Sequence, residues 1–559
     1  MGHSRAFGSS VFVCLFAVVG CGDSTFEESS AKFTSPAAVA ASPPADAAFL
    51  KFDDVADHSA NTESYEQIVE NQLLNVRQQP LSTFSIDVDT ASYSNVRRFL
   101  QQRQLPPADA VRIEELINYF PYNYPEPDGA DPFAVHIEVA GCPWNDSRRL
   151  ARIGIQGRHI VEKQRPAANL VFLLDVSGSM NHPKKLPLVK ESMRMLVEQL
   201  GENDHIAIVV YAGAAGVVLP STSATQRARI LNAIDHMQPG GSTNGALGIR
   251  VAYEIAAENF QKGGINRVIL CTDGDFNVGI TDQTDLTRLI ETQAKTGVFL
   301  SVLGFGMGNL KDSTMERLAD RGNGNYAYID GLAEAKKVLV NQMSGTLITI
   351  AKDVKIQVEF NPAQVSGYRL IGYENRRLAN RDFRDDTKDA GEIGAGHCVT
   401  ALYEIVPAGV ALTSNAEASA SPRLKYQPGV STASLPDSQP VAATQPANST
   451  SDELLTVKLR FKHPDGDVSQ EREFAISDRG TPFGQSSGEF RFAAAVAQFG
   501  MLLRSSQFGG NSTFDSVLAT AEAACSHDPN GYRTEFLQLV KLARGLSGEQ
   551  PSHRESAGE

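Results

Sequence analysis

The most regular pattern of hydrophobic and polar positions lies between residues 166 and 345. It opens with an uninterrupted apolar run at 170–174, which is typical of a strand buried on both faces of a parallel sheet. Val189, Met193 and Leu196 then recur at the spacing of an amphipathic helix. Further strands are predicted at 206–211, 268–271 and 298–304, and helices at 224–236, 245–259, 283–295, 314–321 and 333–344. This alternation predicts a doubly wound, mostly parallel α/β sheet of Rossmann-like class, with its site at the carboxyl ends of the strands.

Two further blocks flank this region. In residues 61–165, apolar and polar positions alternate at 83–89, which predicts a strand. It is followed by predicted helices at 93–101 and 110–119 and predicted strands at 133–139 and 150–155. In residues 346–546, apolar and polar positions alternate from Val354 to Phe360 and again at 455–461, which predicts two half-buried strands. Apolar stripes through Phe492 and Phe536 predict helices that face a core. We therefore predict an N-terminal α+β companion domain and a C-terminal β-rich plus helical module.

The amino terminus has the pattern of an export signal. His3 and Arg5 precede an apolar run that contains no acid, and residues 1–20 together form a predicted signal peptide. The run ends at Cys21 in a motif that resembles the lipobox of bacterial lipoproteins, in which this thiol receives the lipid; the alternative is an ordinary signal peptide with a buried cysteine. Residues 21–60 read as a lipid anchor and flexible tether, 414–451 as a disordered linker and 547–559 as a polar tail.

Composition narrows the class of protein further. The 559 residues include 51 Lys and Arg against 65 Asp and Glu, a formal net charge of −14, and 42% of residues are hydrophobic. These are values of a large multidomain globular protein, and the acidic balance argues against a nucleic-acid partner bound through its phosphates. The six cysteines form no C-x-x-C pair, which argues against a zinc ribbon.

Oxygen-bearing side chains occupy three loops of the predicted α/β region. Asp175, Ser177 and Ser179 come directly after the first strand, Thr243 lies in a later Gly-Gly-Ser-Thr loop, and Asp273 follows the strand at 268–271. Carboxylate and hydroxyl oxygens suit a hard divalent cation such as Mg²⁺ and offer nothing to a thiophilic metal. The sequence therefore predicts a cation site at this edge of the sheet.

These five residues resemble the metal-ion-dependent adhesion site of the von Willebrand factor A (VWA) domain. Asp175, Ser177 and Ser179 match the D-x-S-x-S ligands of that family, Thr243 matches its second-loop ligand, and Asp273 matches the acid of its T-D-G loop. The resemblance implies that the domain spans 166–345 and binds Mg²⁺, or Mn²⁺ or Ca²⁺. It also implies an open coordination position for a Glu or Asp of a partner protein.

Longer motifs at 84–93, 112–120 and 324–330 resemble bacterial envelope lipoproteins of the YfbK kind. In that family a companion domain precedes the VWA domain and a C-terminal module follows it, as in the three blocks here. That family implies no settled activity. The resemblances to the adhesion site and to the lipobox together lead us to expect a protein-binding adhesion or scaffold lipoprotein, not an enzyme, anchored to a membrane through Cys21. It would lie on the periplasmic or outer-membrane face of the cell envelope and bind an unknown envelope protein.

Alternative readings concern other residues. Asp87 and Asp89 form a D-x-D-x-T pattern found in phosphatases, which would make the protein a hydrolase. Such an enzyme also needs a partner lysine and a later acidic pair on the same sheet, and residues 61–165 show no convincing succession of strands and helices to carry them, so a structural or interdomain role is preferred. The segment that begins at Asp273 starts like a calcium loop, but Val278 and Thr284 stand where an EF-hand needs Gly and Glu. A disulfide among Cys142, Cys398 and Cys525 stays open.

Overall fold

The computed structural model describes residues 63–160, 165–212, 215–241, 245–274, 283–308, 310–342, 348–388, 390–411, 451–464, 466–525 and 528–548. They belong to one structural unit, Ser59–Glu559. The predicted signal peptide, Cys21, the whole tether at 21–60, nearly all of the predicted linker at 414–451, and Thr243 lie outside the described residues. Among the described residues, no helix is both long and apolar enough to cross a membrane.

The described strands and helices follow in chain order. The strands are β1 (Leu74–Asn75), β2 (Leu81–Ser85), β3 (Phe133–Gly141), β4 (Arg149–Gly157), β5 (Ala168–Asp175), β6 (His205–Tyr211), β7 (Ala215–Ser223), β8 (Ile265–Thr272), β9 (Phe299–Phe305), β10 (Tyr326–Ile329), β11 (Thr349–Phe360), β12 (Val365–Ile371), β13 (Ile393–Gly394), β14 (Cys398–Pro407), β15 (Glu453–Lys462) and β16 (Ser469–Ser477). The helices are α1 (Ala91–Gln101), α2 (Ile113–Asn118), α3 (Leu186–Gln199), α4 (Arg227–His236), α5 (Gly245–Glu258), α6 (Gln283–Lys295), α7 (Asp312–Arg321), α8 (Leu332–Lys336), α9 (Gly488–Arg504), α10 (Phe514–Ala523) and α11 (Tyr532–Ser547).

The central sheet has the predicted doubly wound form. Its strand order is β10-β9-β8-β5-β6-β7, and every neighbouring pair is parallel except β6 and β7. The prediction of a mostly parallel α/β sheet is therefore confirmed. The antiparallel edge strand β7 was not predicted, because Val217 and Val218 are exposed there and the strand has no continuous or alternating buried pattern.

The first and third predicted blocks share their sheets. One sheet has the order β1-β12-β14-β4-β3, and the other has β13-β11-β15-β16 with β2 paired to β11. The β3–β4 hairpin and β2 come from residues 61–165, whereas their partners β14 and β11 come from 346–546. The two blocks thus form one folded body around the central domain, with strand pairing across more than two hundred residues of sequence.

Aromatic side chains fill the space between these two antiparallel sheets. Phe133 on β3 packs edge-on against Phe461 on β15, with ring centroids 4.8 Å apart. Phe360 on β11 stacks on Tyr368 of β12 at 4.0 Å. Because each pair joins one strand of each sheet, the sheets lie face to face around a common core.

Strand β11 departs from the predicted half-buried pattern. Its apolar residues are buried as expected, but Lys355 and Glu359 on the opposite face are buried as well. The Lys355 ammonium lies 2.9 Å from a carboxylate oxygen of Asp353, and Glu359 accepts a 2.9 Å hydrogen bond from Lys458. The prediction was wrong because ion pairs allow charged residues to be covered on the face that the pattern assigned to solvent.

The helices near the carboxyl end form a second core with the companion segment. Phe492 and Phe499 on α9 and Phe536 on α11 are buried and in edge-to-face contact. Phe120, just after α2, packs against Phe492 at 4.9 Å. The apolar stripes of these helices are therefore core, as predicted.

Candidate functional site

Two carboxylates meet at the carboxyl edge of the central sheet. Strands β5 and β8 are parallel neighbours, with Leu174 paired to Cys271, and both are buried along their whole length. Asp175 ends β5, and Asp273 follows the last residue of β8. Each is only 1% exposed. The topology thus brings together acids that stand almost a hundred residues apart in the sequence.

The turn after β5 arranges oxygens around Asp175. The backbone N–H of Ser177 donates to Asp175 Oδ1 at 2.8 Å, and the hydroxyls of Ser177 and Ser179 lie 3.0 Å apart. From the neighbouring strand, the Tyr211 hydroxyl donates to Asp175 Oδ2 at 3.3 Å. The Asp175 carboxylate is therefore fixed in orientation beside two hydroxyl groups.

The loop that carries Thr243 is held against this turn. Gly178 N donates to the carbonyl of Gly241 at 3.2 Å, and Gly240 N donates to the carbonyl of Val176 at 2.6 Å. Thr243 itself lies outside the described residues, so the structure leaves its predicted role as a ligand untested. The two backbone hydrogen bonds nevertheless bring residues 240–241 to the Asp175 turn.

Burial dominates the electrostatics of the Asp175 carboxylate. It raises the pKa of Asp175 to about 6, and the nearby charge of Asp273 acts in the same direction. The hydrogen bonds from Ser177 and Tyr211 lower that pKa, but they do not offset the loss of water. A bound cation would stabilise the charged form of Asp175, which burial alone disfavours.

A lysine that the sequence analysis missed already contacts one of these acids. Lys185 lies just before α3, and its ammonium donates to Asp273 Oδ2 at 2.8 Å in a buried ion pair. Its stem crosses Gly306, where a Cβ atom would collide with the side-chain carbons of Lys185. No sequence motif marks this lysine, because the pair joins residues from separate loops.

The chemical type of the donor atoms fits a hard cation. Its oxygens come from two carboxylates and from hydroxyls, which are ligands that Mg²⁺ and Ca²⁺ accept. Within the described residues, no group of three or more His, Cys, Asp or Glu side chains is arranged to hold a metal. Within the described part of the chain, Asp175 and Asp273 supply the carboxylate charge at this edge, and Lys185 neutralises part of it. Such a site would bind a divalent cation weakly.

The structure pairs Asp87 and Asp89 with an arginine. Strand β2 ends at Ser85, so both acids lie in the turn before α1 rather than on the predicted strand. Arg376 pairs with both, at 3.3 Å and 3.1 Å, and Asp89 also accepts a hydrogen bond from the backbone N–H of Tyr326 at 2.8 Å. Because Tyr326 belongs to β10 of the central sheet, these contacts support the interdomain role.

Cysteine pairing is settled for the described part of the chain. Cys142, Cys271, Cys398 and Cys525 are free thiols. Burial raises the pKa of the Cys142 thiol to about 12, which keeps it protonated and unreactive. The disulfide left open from the sequence is therefore not formed among Cys142, Cys398 and Cys525.

Comparison with known proteins identifies each part of the chain. A family model described as von Willebrand factor type A domain matches residues 169–342. A model described as von Willebrand factor matches 59–152, and one described as Uncharacterized protein YfbK, C-terminal, matches 345–546. The VWA domain indicates a protein-interaction or scaffold role.

Similarity also extends across nearly the whole chain. A solved structure, von Willebrand factor type A from Catenulispora acidiphila, is 18% identical with a TM-score of 0.39, covering 74% of this chain and 89% of that one. Uncharacterized protein sll0103 of Synechocystis is 27% identical over 215 residues, which is 38% of this chain and 50% of that protein. Uncharacterized protein YfbK of Escherichia coli is 44% identical over 501 residues, which is 88% of this chain and 83% of that protein. The chain therefore belongs to the YfbK family and carries a VWA domain at its centre.

Proposed function

We propose that this chain is a membrane-anchored lipoprotein that binds a partner protein through a divalent cation, as an adhesion or scaffold protein of the bacterial envelope. The observation that carries the proposal is the meeting of Asp175, Ser177, Ser179 and Asp273 at one edge of the central sheet. Those are four of the five positions expected of a metal-ion-dependent adhesion site.

In this proposal the cation is Mg²⁺, or Mn²⁺ or Ca²⁺, and it supplies a positive centre for a carboxylate of the partner. Asp175, Ser177, Ser179 and Thr243 would hold it, and Asp273 would act directly or through water. Hydrogen bonds from Ser177 keep the Asp175 carboxylate oriented without the metal. With two carboxylates, one of them paired to Lys185, we expect a dissociation constant of about 10⁻⁴ to 10⁻³ M, as in extracellular calcium modules.

The partner would be an envelope protein that offers a Glu or Asp side chain. A partner carboxylate would complete the coordination of the cation and supply negative charge that the site itself lacks. Partner and cation would therefore bind cooperatively. The acidic net charge of −14 disfavours a nucleic acid as the alternative partner. A non-enzymatic role is part of the proposal, and the pairing of Asp87 and Asp89 with Arg376 favours it over the phosphatase alternative.

The membrane anchor is proposed from the sequence alone. Lipid chains on Cys21 would hold the protein on a membrane at the periplasmic or outer-membrane face. The tether at 21–60 would then allow the folded body to reach partners roughly 35 Å from its attachment point.

Affinity capture tests the metal-dependent partner. Immobilised mature protein is incubated with detergent-solubilised envelope in Mg²⁺ or in EDTA, alongside Asp175→Ala and the matched control Asp467→Ala, whose side chain is fully exposed on the β15–β16 hairpin. We expect the wild type and the control to retain one or more envelope proteins in Mg²⁺. These proteins should be lost in EDTA, and Asp175→Ala should not retain them. Retention that survives both treatments would contradict the proposal.

Lipid labelling tests the anchor. Cells expressing the wild type, Cys21→Ser or Cys525→Ser are fed a fatty-acid analogue, and the purified protein is assayed for label. Cys525 is a partly exposed free thiol and serves as the control. Label should be absent from Cys21→Ser alone; label that persists in this variant shows that Cys21 is not the attachment point.

A further inference from the structure

A polar cavity of about 650 Å³ lies at the edge of the central sheet opposite the proposed cation site. Arg267, near the start of β8, lines it, as do residues 323–325 before β10 and Ser85 at the end of β2. Arg267 and Asp273 are six residues apart along the strand direction, which places them roughly 20 Å from each other. The cavity lies where the central domain meets the two antiparallel sheets, and its volume is typical of small-molecule sites.

Arg267 is an unusual residue for the place it occupies. Its side chain is buried, with 2% of its surface exposed. One guanidinium nitrogen donates to the Ser301 hydroxyl at 2.6 Å, whereas Nε has no hydrogen-bond partner. Among the described residues, no carboxylate lies within ion-pair distance of the guanidinium. Burial lowers the pKa of Arg267 to about 10, and Glu392 opposes this shift only from a distance.

The other buried arginines in the described part of the chain are paired with carboxylates. Arg97 contacts Asp330 at 2.5 Å, and Arg369 contacts Glu404 at 2.8 Å. A buried guanidinium without a carboxylate is costly, because the lost hydration is not replaced. Arg267 therefore lacks a counter-charge among the described residues, and the cavity that it lines is large enough to admit an anion from outside the chain.

The cavity lining carries an excess of positive charge. Seven arginine and lysine side chains line it, against four carboxylates. Three of the carboxylates are already paired: Asp87 and Asp320 with Arg376, and Glu291 with Arg321. The cations outside these pairs are Arg267, Lys295, Arg317, Arg377 and Lys388. In a protein of net charge −14, this is a local concentration of the opposite sign.

We infer that this cavity binds a small molecule bearing a phosphate or carboxylate group, with the Arg267 guanidinium as its central contact. The planar N–H groups of an arginine match two oxygens of either oxyanion. Asn323, Asn325 and Thr387 also line the cavity and offer amide and hydroxyl groups for the rest of the ligand. The inference is independent of the proposed cation site, which lies at the other edge of the sheet.

Calorimetric titration of the detergent-solubilised mature protein with inorganic phosphate and with citrate tests the inference. The protein is first stripped of divalent cations and the titrations are done in metal-free buffer without chelator, so that the cation site plays no part. The variants are Arg267→Met and the control Arg288→Met, which removes an exposed arginine of α6 outside the cavity. We expect at least one of the two anions to bind, at least tenfold more weakly to Arg267→Met and within twofold of wild type to Arg288→Met. The anion that binds identifies the oxyanion class.

Two results would overturn the inference: neither anion binds the wild type, or Arg267→Met binds as tightly as the wild type. If Arg267→Met does not fold, Lys388→Ala replaces it, because Lys388 is exposed at the cavity. That variant should weaken binding at least threefold, and unchanged affinity would also overturn the inference. The outcome does not depend on metal-dependent capture, which Arg267→Met should retain.

Discussion

Replacement of Lys185 by methionine tests the electrostatics of the proposed cation site. The Lys185 ammonium lies 2.8 Å from Asp273 Oδ2, and both side chains are almost fully buried. Methionine keeps the apolar stem that crosses Gly306 and removes only the charge. We predict that Lys185→Met destabilises the metal-free protein and tightens the binding of Mg²⁺.

The magnitude follows from the distance between the charges. At 2.8 Å and an effective dielectric constant of about 20, their Coulomb attraction is roughly 6 kcal/mol before desolvation is subtracted. Removal of one partner of a buried pair costs about 3 to 5 kcal/mol, because the other charge stays buried. If half of this loss or more is recovered when a cation binds, at least about 1.5 kcal/mol is gained and the Mg²⁺ affinity rises at least about tenfold.

Urea unfolding with and without Mg²⁺ measures both effects. The control is Lys184→Met, which removes the neighbouring, exposed lysine and should change neither quantity. Without metal, Lys185→Met should lose about 3 kcal/mol or more of its free energy of unfolding. Saturating Mg²⁺ should stabilise this variant more than it stabilises the wild type. Equal or weaker stabilisation by Mg²⁺ would refute the reasoning, because Lys185 would then not oppose a cation.

Three further predictions concern buried groups away from this site. Burial lowers the pKa of Lys337 from 10.5 to about 7, so between these pH values the unfolded chain binds more protons than the folded chain. The free energy of unfolding of the wild type should therefore rise with pH across that window, by up to about 1.4 kcal/mol per pH unit. Urea unfolding of Lys337→Met should lack this rise. Arg376→Met should cost about 3 to 5 kcal/mol in the same assay, because it removes the ion-pair partner of the buried Asp89 carboxylate; a loss under 1 kcal/mol contradicts this role. Gly324→Ala should lower the melting temperature, because a Cβ would collide with the carbonyl oxygen of Leu300, whereas Gly331→Ala, with open space, should not.

Much of the central domain follows from local sequence pattern. The apolar run at 170–174 lies inside β5, and the helical spacing of Val189 and Met193 lies inside α3, because burial on both faces or on one stripe leaves a direct trace in the sequence. The carboxyl-edge position of Asp175 and Asp273 follows from the same argument. Parallel strands that alternate with helices all end at one edge.

The features that the sequence did not reveal depend on contacts between distant segments. The pairing of β2 with β11 joins residues more than 260 positions apart, and nothing in either strand specifies the other. The burial of Lys355 and the ion pair of Lys185 likewise require a partner from another segment. Charged residues of this kind look like solvated ones until the partner is known.

Calorimetric titration of Mg²⁺ into the metal-free mature protein tests the central claim most directly. The proposal predicts one site per chain with a dissociation constant of about 10⁻⁴ to 10⁻³ M. Asp175→Asn should abolish the binding heat, whereas the exposed-site control Asp467→Asn should leave it unchanged. Absence of Mg²⁺ binding to the wild type, tested also with Mn²⁺ and Ca²⁺, or equal binding to Asp175→Asn, would contradict a cation-dependent function for this protein.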